Sequence, residues 1–382
     1  MRGNITRRGK SSWRLKFDVG RDPATGDRLT RLVTVKGKRQ DAEKELTRLL
    51  ATADAGAFVE PDKVTVTEFL RSWIDRNQRL SLKTAERFRQ LIEQQMVPLI
   101  GATLLQRLKP AQVINWHARL LQGGGKGGKP LSPSTVRQAH RVLHMALGEA
   151  AKGELVARNV VAGIAAPKVE KTELHCLRAE QISVMVAGFA GHWLAPIVTM
   201  ALASGMRRGE LLALRWSDVD LEGGGATVQR SLEQTKTGLR FKAPKTAYSR
   251  RQVALPSHAV EALKVHRRAM LEQRLALGQG KPDADALVFC NVDGSPLSPV
   301  RVSGAFRDTV ALRNLPVVTF HALRHSHASA LICSGIDVLT VSRRLGHASP
   351  VITLSTYGHL MTNKDESVRG ALENALGTVK ER

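Results

Sequence analysis

The sequence predicts a multidomain, mainly α protein: a small β-sheet-plus-helix module at the amino end, a helical bundle in the middle and a mixed α+β domain in the carboxy-terminal half. Three observations carry that reading. The 382 residues suit two or three domains, each long enough to bury a core. Apolar and polar residues alternate in short runs near Trp13–Val19, Arg31–Lys36, Ala226–Gln229 and Arg251–Leu255, while most other segments carry helical spacing. Polar breaks containing proline, Glu60-Pro-Asp-Lys and Ala165-Ala-Pro-Lys-Val-Glu-Lys-Thr-Glu, divide the chain into 1–58, 62–166 and 174–382.

In the first segment the strand beginning near Ser12 is followed by the turn Gly20-Arg-Asp-Pro-Ala-Thr-Gly26, and a second strand starts at Arg31. A helix is expected from Gln40 to Ala53, with Ala42, Leu46, Leu49 and Leu50 at helical spacing. In the second segment Thr65 is placed to cap a helix from Val66 to Asn77. Another helix is expected from Ser81 to about Leu99, a third from Pro110, and a fourth from Ser132 or Ser134 to Gly153. Val113, Ile114, Trp116 and Leu120 read as the core face of the third. Gly123-Gly-Gly-Lys-Gly-Gly-Lys-Pro lacks both a preceding strand and a closing Lys-Ser/Thr, which leaves a surface loop and excludes a nucleotide-binding loop.

In the third segment a helix starts at Ala179, and a second, apolar on several sides, spans Trp193–Ser204. A short sheet follows from Val219, turning near Gly238 and closing with Arg251-Gln-Val-Ala-Leu. Helices are then expected at Pro256–Leu277, Pro299–Leu312, Phe320–Cys333 and Asp365–Leu376.

Lys and Arg number 58 against 34 Asp and Glu, a net charge of +24. Such an excess points to a polyanion, most simply nucleic acid. It is spread over all segments, which suits a folded basic surface better than a disordered basic tail. Ribosomal proteins share this balance, so charge alone does not identify function. The three scattered cysteines, Cys176, Cys290 and Cys333, argue against a disulfide framework and for a reducing compartment. No apolar run approaches a bilayer span and no signal-peptide core is present, so the cytoplasm is the expected location.

The chemistry concentrates near the carboxy end, in Thr319-Phe-His-Ala-Leu-Arg-His-Ser-His, Leu345-Gly-His-Ala-Ser-Pro and Ser355-Thr-Tyr-Gly-His. His321 and Arg324 fall on one face of the expected helix and can converge on one atom. His347 adds a second imidazole, and Tyr357 is one of only two tyrosines. Gly346 and Gly358 suit a loop-mounted histidine and a mobile nucleophile. Arginine grips two phosphate oxygens with a planar, permanently charged fork, and a tyrosine can attack phosphorus if nearby cations ease loss of its proton. This set suits phosphoryl transfer without a metal. A zinc site on His321 and His325, spaced i, i+4, lacks an intervening glutamate and a nearby cysteine pair. Upstream, Ala203-Ser-Gly-Met-Arg-Arg-Gly-Glu places Arg207 at a helix start with Glu210 three residues on, and Lys245 precedes an apolar-alternating strand.

Taken together, the order Arg, Lys, His-x-x-Arg, His, Tyr resembles that of the tyrosine recombinases, the phage integrase family, across the catalytic half of the chain. The resemblance implies a site-specific DNA recombinase that cuts and rejoins duplex DNA through a 3′-phosphotyrosyl intermediate, integrating or excising a mobile element. By motif position it assigns catalysis to Arg207, Lys245, His321, Arg324, His347 and Tyr357. Lys236 is the rival to Lys245, and Arg208 fails the motif that Arg207 meets. Glu210 becomes a buttress for Arg207. Ala322 stands where many relatives carry aspartate, and His347 where some carry tryptophan.

Segment 1–58 then resembles an arm-binding domain, with DNA contacts at Arg14, Lys16, Arg28 and Arg31. Segment 62–166 resembles a core-binding domain, with phosphate contacts at Lys83, Arg87, Arg137 and Arg141. No cofactor and no metal are implied. The expected partners are double-stranded DNA attachment sites and three further copies in a tetramer, with the carboxy-terminal tail docking on a neighbour. Accessory DNA-bending or directionality proteins are compatible with this picture, and a membrane is not. Rival readings are a type IB topoisomerase, a non-catalytic DNA-binding regulator and a zinc nuclease.

Overall fold

The computed structural model describes residues 3–21, 25–54, 62–170, 175–243 and 250–360, with isolated positions 369, 372, 373 and 376 beyond. It divides into two compact units, Met1–Lys171 and Thr172–Arg382.

The first unit begins with an antiparallel sheet, β1 (Gly3–Gly9), β2 (Ser12–Arg21) and β3 (Arg28–Lys36), in the order β1-β2-β3. Strand β1 carries a single apolar residue, Ile5, too little alternation to announce itself in the sequence. Leu15 and Phe17 point from β2 onto Ala42 and Leu49 of α1 (Arg39–Asp54), forming a small closed core. Because side chains alternate across a strand, Arg14 and Lys16 occupy the opposite face of β2.

Helix α2 (Val66–Arg76) starts as expected at Thr65. The Thr65 hydroxyl accepts from the Glu68 N–H, and the Glu68 carboxylate accepts from the Thr65 N–H at 2.8 Å. The single helix expected over Ser81–Leu99 is three pieces: α3 (Leu82–Leu91), a π turn at Ile92–Met96 and α4 (Val97–Ile100). Pro98 explains the break, since it has no N–H to donate and its ring crowds the carbonyl four residues back. The turn widens, and the Val97 N–H reaches Ile92. Helix α5 (Pro110–Gly123) buries Val113, Trp116 and Leu120, whereas Ile114 is 55% exposed and does not belong to the core face. The place beside Trp116 is taken by His117, which packs on α6 (Pro133–Lys152).

In the second unit α7 (Ala179–Gly188) leads to α8 (Ala195–Ser204), buried from Ile197 onward. Helix α8 starts two residues later than expected because Pro196 favours the first turn. Gly205 ends it in the left-handed region at φ 64°, and the four-residue α9 (Arg208–Leu211) follows.

The expected single sheet is two: β4 (Val219–Asp220), β5 (Gly225–Val228) and β8 (Arg251–Ala254) form one, and β6 (Ser231–Thr235) with β7 (Gly238–Lys242) forms a separate hairpin. Between them Arg230 is drawn onto the buried Asp218 at 2.8 Å, which takes the chain out of the first sheet. Helices α10 (Ser257–Ala276), α11 (Pro299–Leu312), α12 (Phe320–Cys333), α13 (Val338–Leu345) and α14 (Pro350–Tyr357) complete the unit. Of the expected tail helix only the isolated positions 369, 372, 373 and 376 are described, each helical. The three cysteines are free thiols, and no helix among the described residues is long and apolar enough to cross a membrane.

Candidate active site

Helix α12 is set by Thr319, whose hydroxyl accepts from the Ala322 N–H. This start puts His321 and Arg324 one turn apart on the same side. Arg324 is 3% exposed, and its guanidinium donates to the Gly205 carbonyl and the Leu345 carbonyl, each at 2.7 Å. Both acceptors lie at helix ends that glycines close, Gly205 after α8 and Gly346 after α13, so those carbonyls are free to accept. Burial, then the charge of Arg207, lower the Arg324 pKa to about 9, which leaves it cationic at neutral pH.

Arg207 caps α9 and donates to the Glu210 carboxylate at 2.8 Å and to the Gly346 carbonyl at 3.1 Å. Glu210 also accepts from Arg251 at 2.8 Å, a contact that local spacing does not announce. Burial pushes the Glu210 carboxyl up, yet the Arg251 hydrogen bond and the charges of Arg251 and Arg207 outweigh it, holding the group below its ordinary value. One carboxylate thus fixes two arginines. Arg208, the discarded rival, turns away to Ser303.

His347 follows the left-handed Gly346, and its Nδ1 lies 2.7 Å from the Thr353 hydroxyl. Burial and the cations Arg324, Arg207 and Arg251 lower its pKa to about 4, so the ring is a neutral hydrogen-bonding group. Protein packed around His321, with Arg324, Arg207 and Arg208, lowers its pKa too, although one edge of the ring stays open to solvent.

Tyr357 ends α14 and is 2% exposed, packed with Ala328, Ile332, Val341 and Leu345. Gly358 has φ −57°, helical and unstrained, so the residue beside the tyrosine is not the swivel its identity suggests. In this structure the phenol is helix-mounted, and its ring completes an apolar cluster. Its hydroxyl lies 2.6 Å from Nδ1 of His325. Burial raises the Tyr357 pKa to about 12, against the opposing charge of Arg324.

Arg207, Glu210, His321, Arg324, His347 and Tyr357 all line one cavity of about 600 Å³. Lys245, and with it Tyr248, lies outside the described residues. Lys242 lines the cavity and is paired with Glu233, while Lys236, in the β6–β7 turn, does not line it. His325, Arg230, Arg251 and Lys242 are charged or titratable residues of this site that sequence reasoning left out. His325 carried one signal, its i, i+4 spacing from His321, and the other three carried none.

The predicted DNA-contact groups are partly brought together. By strand alternation Arg28 shares the open face of the sheet with Arg14 and Lys16, and Arg8 reaches the same face through Thr34. Arg31 pairs in register with Phe17, which puts it on the helix side and corrects its place in that group. On the bundle, Arg87 bonds Gln138 at 3.3 Å, so α3, which carries Lys83 and Arg87, packs against α6, which carries Arg137 and Arg141.

Three guanidiniums, three imidazoles and a phenol around one cavity suit a class of protein that transfers phosphoryl groups through a tyrosine. Residues 176–364 match the phage integrase family, and the chain belongs to that family, the tyrosine recombinases. It is 27% identical to a XerC-like tyrosine recombinase of Caldanaerobacter subterraneus subsp. tengcongensis over 94% of this chain and 95% of that one. In structure it is similar to the Tn1549 transposon integrase in complex with transposon right end DNA, with a TM-score of 0.68, 21% identity and 82% of this chain covered against all of that one. It is also similar to lambda integrase, solved as a tetramer bound to a Holliday junction, with a TM-score of 0.57, 20% identity and coverage of 94% and 95%.

Proposed function

We propose that this protein is an integrase that cuts and rejoins duplex DNA at specific sites, moving a mobile element into or out of a larger molecule. Tyr357 attacks the scissile phosphorus, the bond to the 5′ oxygen breaks, and a 3′-phosphotyrosyl ester remains with a free 5′ hydroxyl. Arg207, Arg324 and His347 hold the nonbridging oxygens, and His321 stands at the open edge of the same cavity. Glu210 and Arg251 keep Arg207 aimed. Lys245 protonates the departing oxygen. The covalent ester conserves the phosphodiester, so ligation to a partner strand consumes no nucleotide cofactor.

The remaining assignments follow the same reading. The amino-terminal sheet contacts accessory sites with Arg14, Lys16 and Arg28, the helical bundle contacts the core site with Lys83, Arg87, Arg137 and Arg141, and four copies act together on paired sites in the cytoplasm.

The observation that supports this reading best is that Tyr357 lines the cavity that Arg207, Arg324 and His347 also line. The test is covalent trapping on a nicked suicide substrate carrying the attachment site. The parent protein should form an adduct and Tyr357→Phe should form none; an adduct with Tyr357→Phe removes Tyr357 from its role.

A further inference from the structure

His325 stands one turn after His321 on α12, and the two rings meet edge to face at 4.9 Å. Their surroundings differ. His321 is exposed, whereas His325 is half-buried and touches the phenol of Tyr357 at 2.6 Å. Among the described residues, Nδ1 of His325 is the one hydrogen-bond partner of that hydroxyl. A buried hydroxyl with a single partner is oriented by it. If Oη donates its proton to Nδ1, its lone pairs are turned away from His325.

We propose that His325 is the group that aims Tyr357 and takes its proton as it attacks. In the step, the Oη–P bond forms as the P–O5′ bond breaks. The proton of Oη passes to Nδ1 of His325, and O5′ receives a proton from a separate donor.

The charges explain why this happens only with DNA in place. In the free protein the charged and titratable groups acting on His325 and Tyr357 are His321 and Arg324 on α12, His347, and Cys176 beside the phenol, while Arg207 lines the same cavity. Burial, then His321 and Arg324, lower the His325 pKa to about 4, so its ring is neutral and accepts the phenol's hydrogen bond without taking the proton. A phosphate seated between Arg207 and Arg324 sets a negative charge against those cations. That raises the basicity of His325, and bonding of Oη to phosphorus makes its proton acidic. The nucleophile is therefore stored protonated and released by its own substrate.

This inference rests on the assignment of Tyr357 as nucleophile, and the experiment separates the two. Adduct formation on the nicked substrate is measured for the parent, His325→Phe and His325→Asn, each with tyrosine or 3,5-difluorotyrosine at position 357, alongside DNA binding by gel shift. General-base loss typically costs about 100-fold or more. His325→Phe should bind DNA as the parent does and lose at least about 100-fold in cleavage rate. The more acidic fluorinated phenol should restore at least tenfold of that loss while changing the parent little.

His325→Asn keeps an acceptor where Nδ1 stood but cannot hold a proton at neutral pH; it should also cleave slowly and be restored by the fluorinated phenol, and it carries the test if His325→Phe does not fold. Cleavage by His325→Phe within threefold of the parent overturns the proposal, as does a fluorinated phenol that changes parent and variants equally. An adduct with Tyr357→Phe would instead defeat the underlying assignment, whatever the His325 variants do.

Discussion

The Glu210 carboxylate meets the Arg251 guanidinium at 2.8 Å with both side chains 6% exposed, and the same carboxylate holds the half-open Arg207 at 2.8 Å. A strand that contributes no ligand to the cavity thereby fixes the geometry of a residue that does. Removing one partner of such a buried pair leaves a charge without compensation, typically at about 3–5 kcal/mol. Glu210→Gln should lower unfolding stability by about that much in a urea titration, with cleavage reduced because Arg207 is no longer aimed. Arg251→Met should reduce cleavage too, although it does not line the cavity.

The same carboxylate makes a pH prediction. Its folded pKa lies below the ordinary value of 4.5, so the unfolded chain binds the proton more readily. The stability it contributes is complete above pH 4.5 and is lost as the pH falls through the folded value. Glu210→Gln should therefore show a shallower loss of stability with acid below pH 4.5 than the parent, in urea titrations at a series of pH values.

In the helical bundle, His140 Nδ1 lies 3.2 Å from His117 Nε2 with both rings buried. Burial, then His117 and His144, lower the His140 pKa from 6.5 to about 4. Between those values the unfolded chain takes up a proton that the folded one refuses, so stability falls as the pH drops from 6.5 toward 4. A His140→Asn variant should be less sensitive than the parent over about pH 7 to 5, measured by the urea midpoint.

Gly205 has φ 64°, and a Cβ there would run into the His327 ring. Its carbonyl also receives Arg324. Gly205→Ala combines a left-handed alanine with overpacking, together about 2 kcal/mol or more. Thermal unfolding should show that loss, and adduct formation should fall further than stability alone explains because Arg324 loses an anchor.

On the amino-terminal sheet, Arg14, Lys16 and Arg28 share the open face and Arg31 does not. Replacing the first three by alanine should weaken DNA binding and flatten its log–log salt dependence by about 1 for each phosphate contact removed. Arg31→Ala should leave the slope near that of the parent. A gel-shift salt series reads both.

Much of this was legible in the chain because it is written locally. Thr65, Ser132 and Thr319 announce their helices through a hydroxyl and the N–H groups within one turn, and the boundaries of α11 and α12 follow. His321 and Arg324 share a face by spacing alone. Ile114 was misplaced because position on a helix face says nothing about which neighbours arrive to cover it; His117 on the adjacent turn found His140 instead. The π turn before Pro98 and the separate β6–β7 hairpin were hidden for a related reason, since the ring clash and the Arg230–Asp218 pair act between residues that periodicity treats one at a time.

The sequence by itself determined the chemistry: which side chains are present, their order, and the helix that carries His321 and Arg324, since caps, turns and i, i+3 spacing act within a few residues. Only the tertiary structure decided that Glu210 is shared by two arginines, that Arg324 hangs on two helix-end carbonyls, and that His325 is the imidazole at the phenol. Those relationships join segments about 20 to 120 residues apart, where the choice of partner is made by packing and by the need to satisfy buried charge, which no local pattern records.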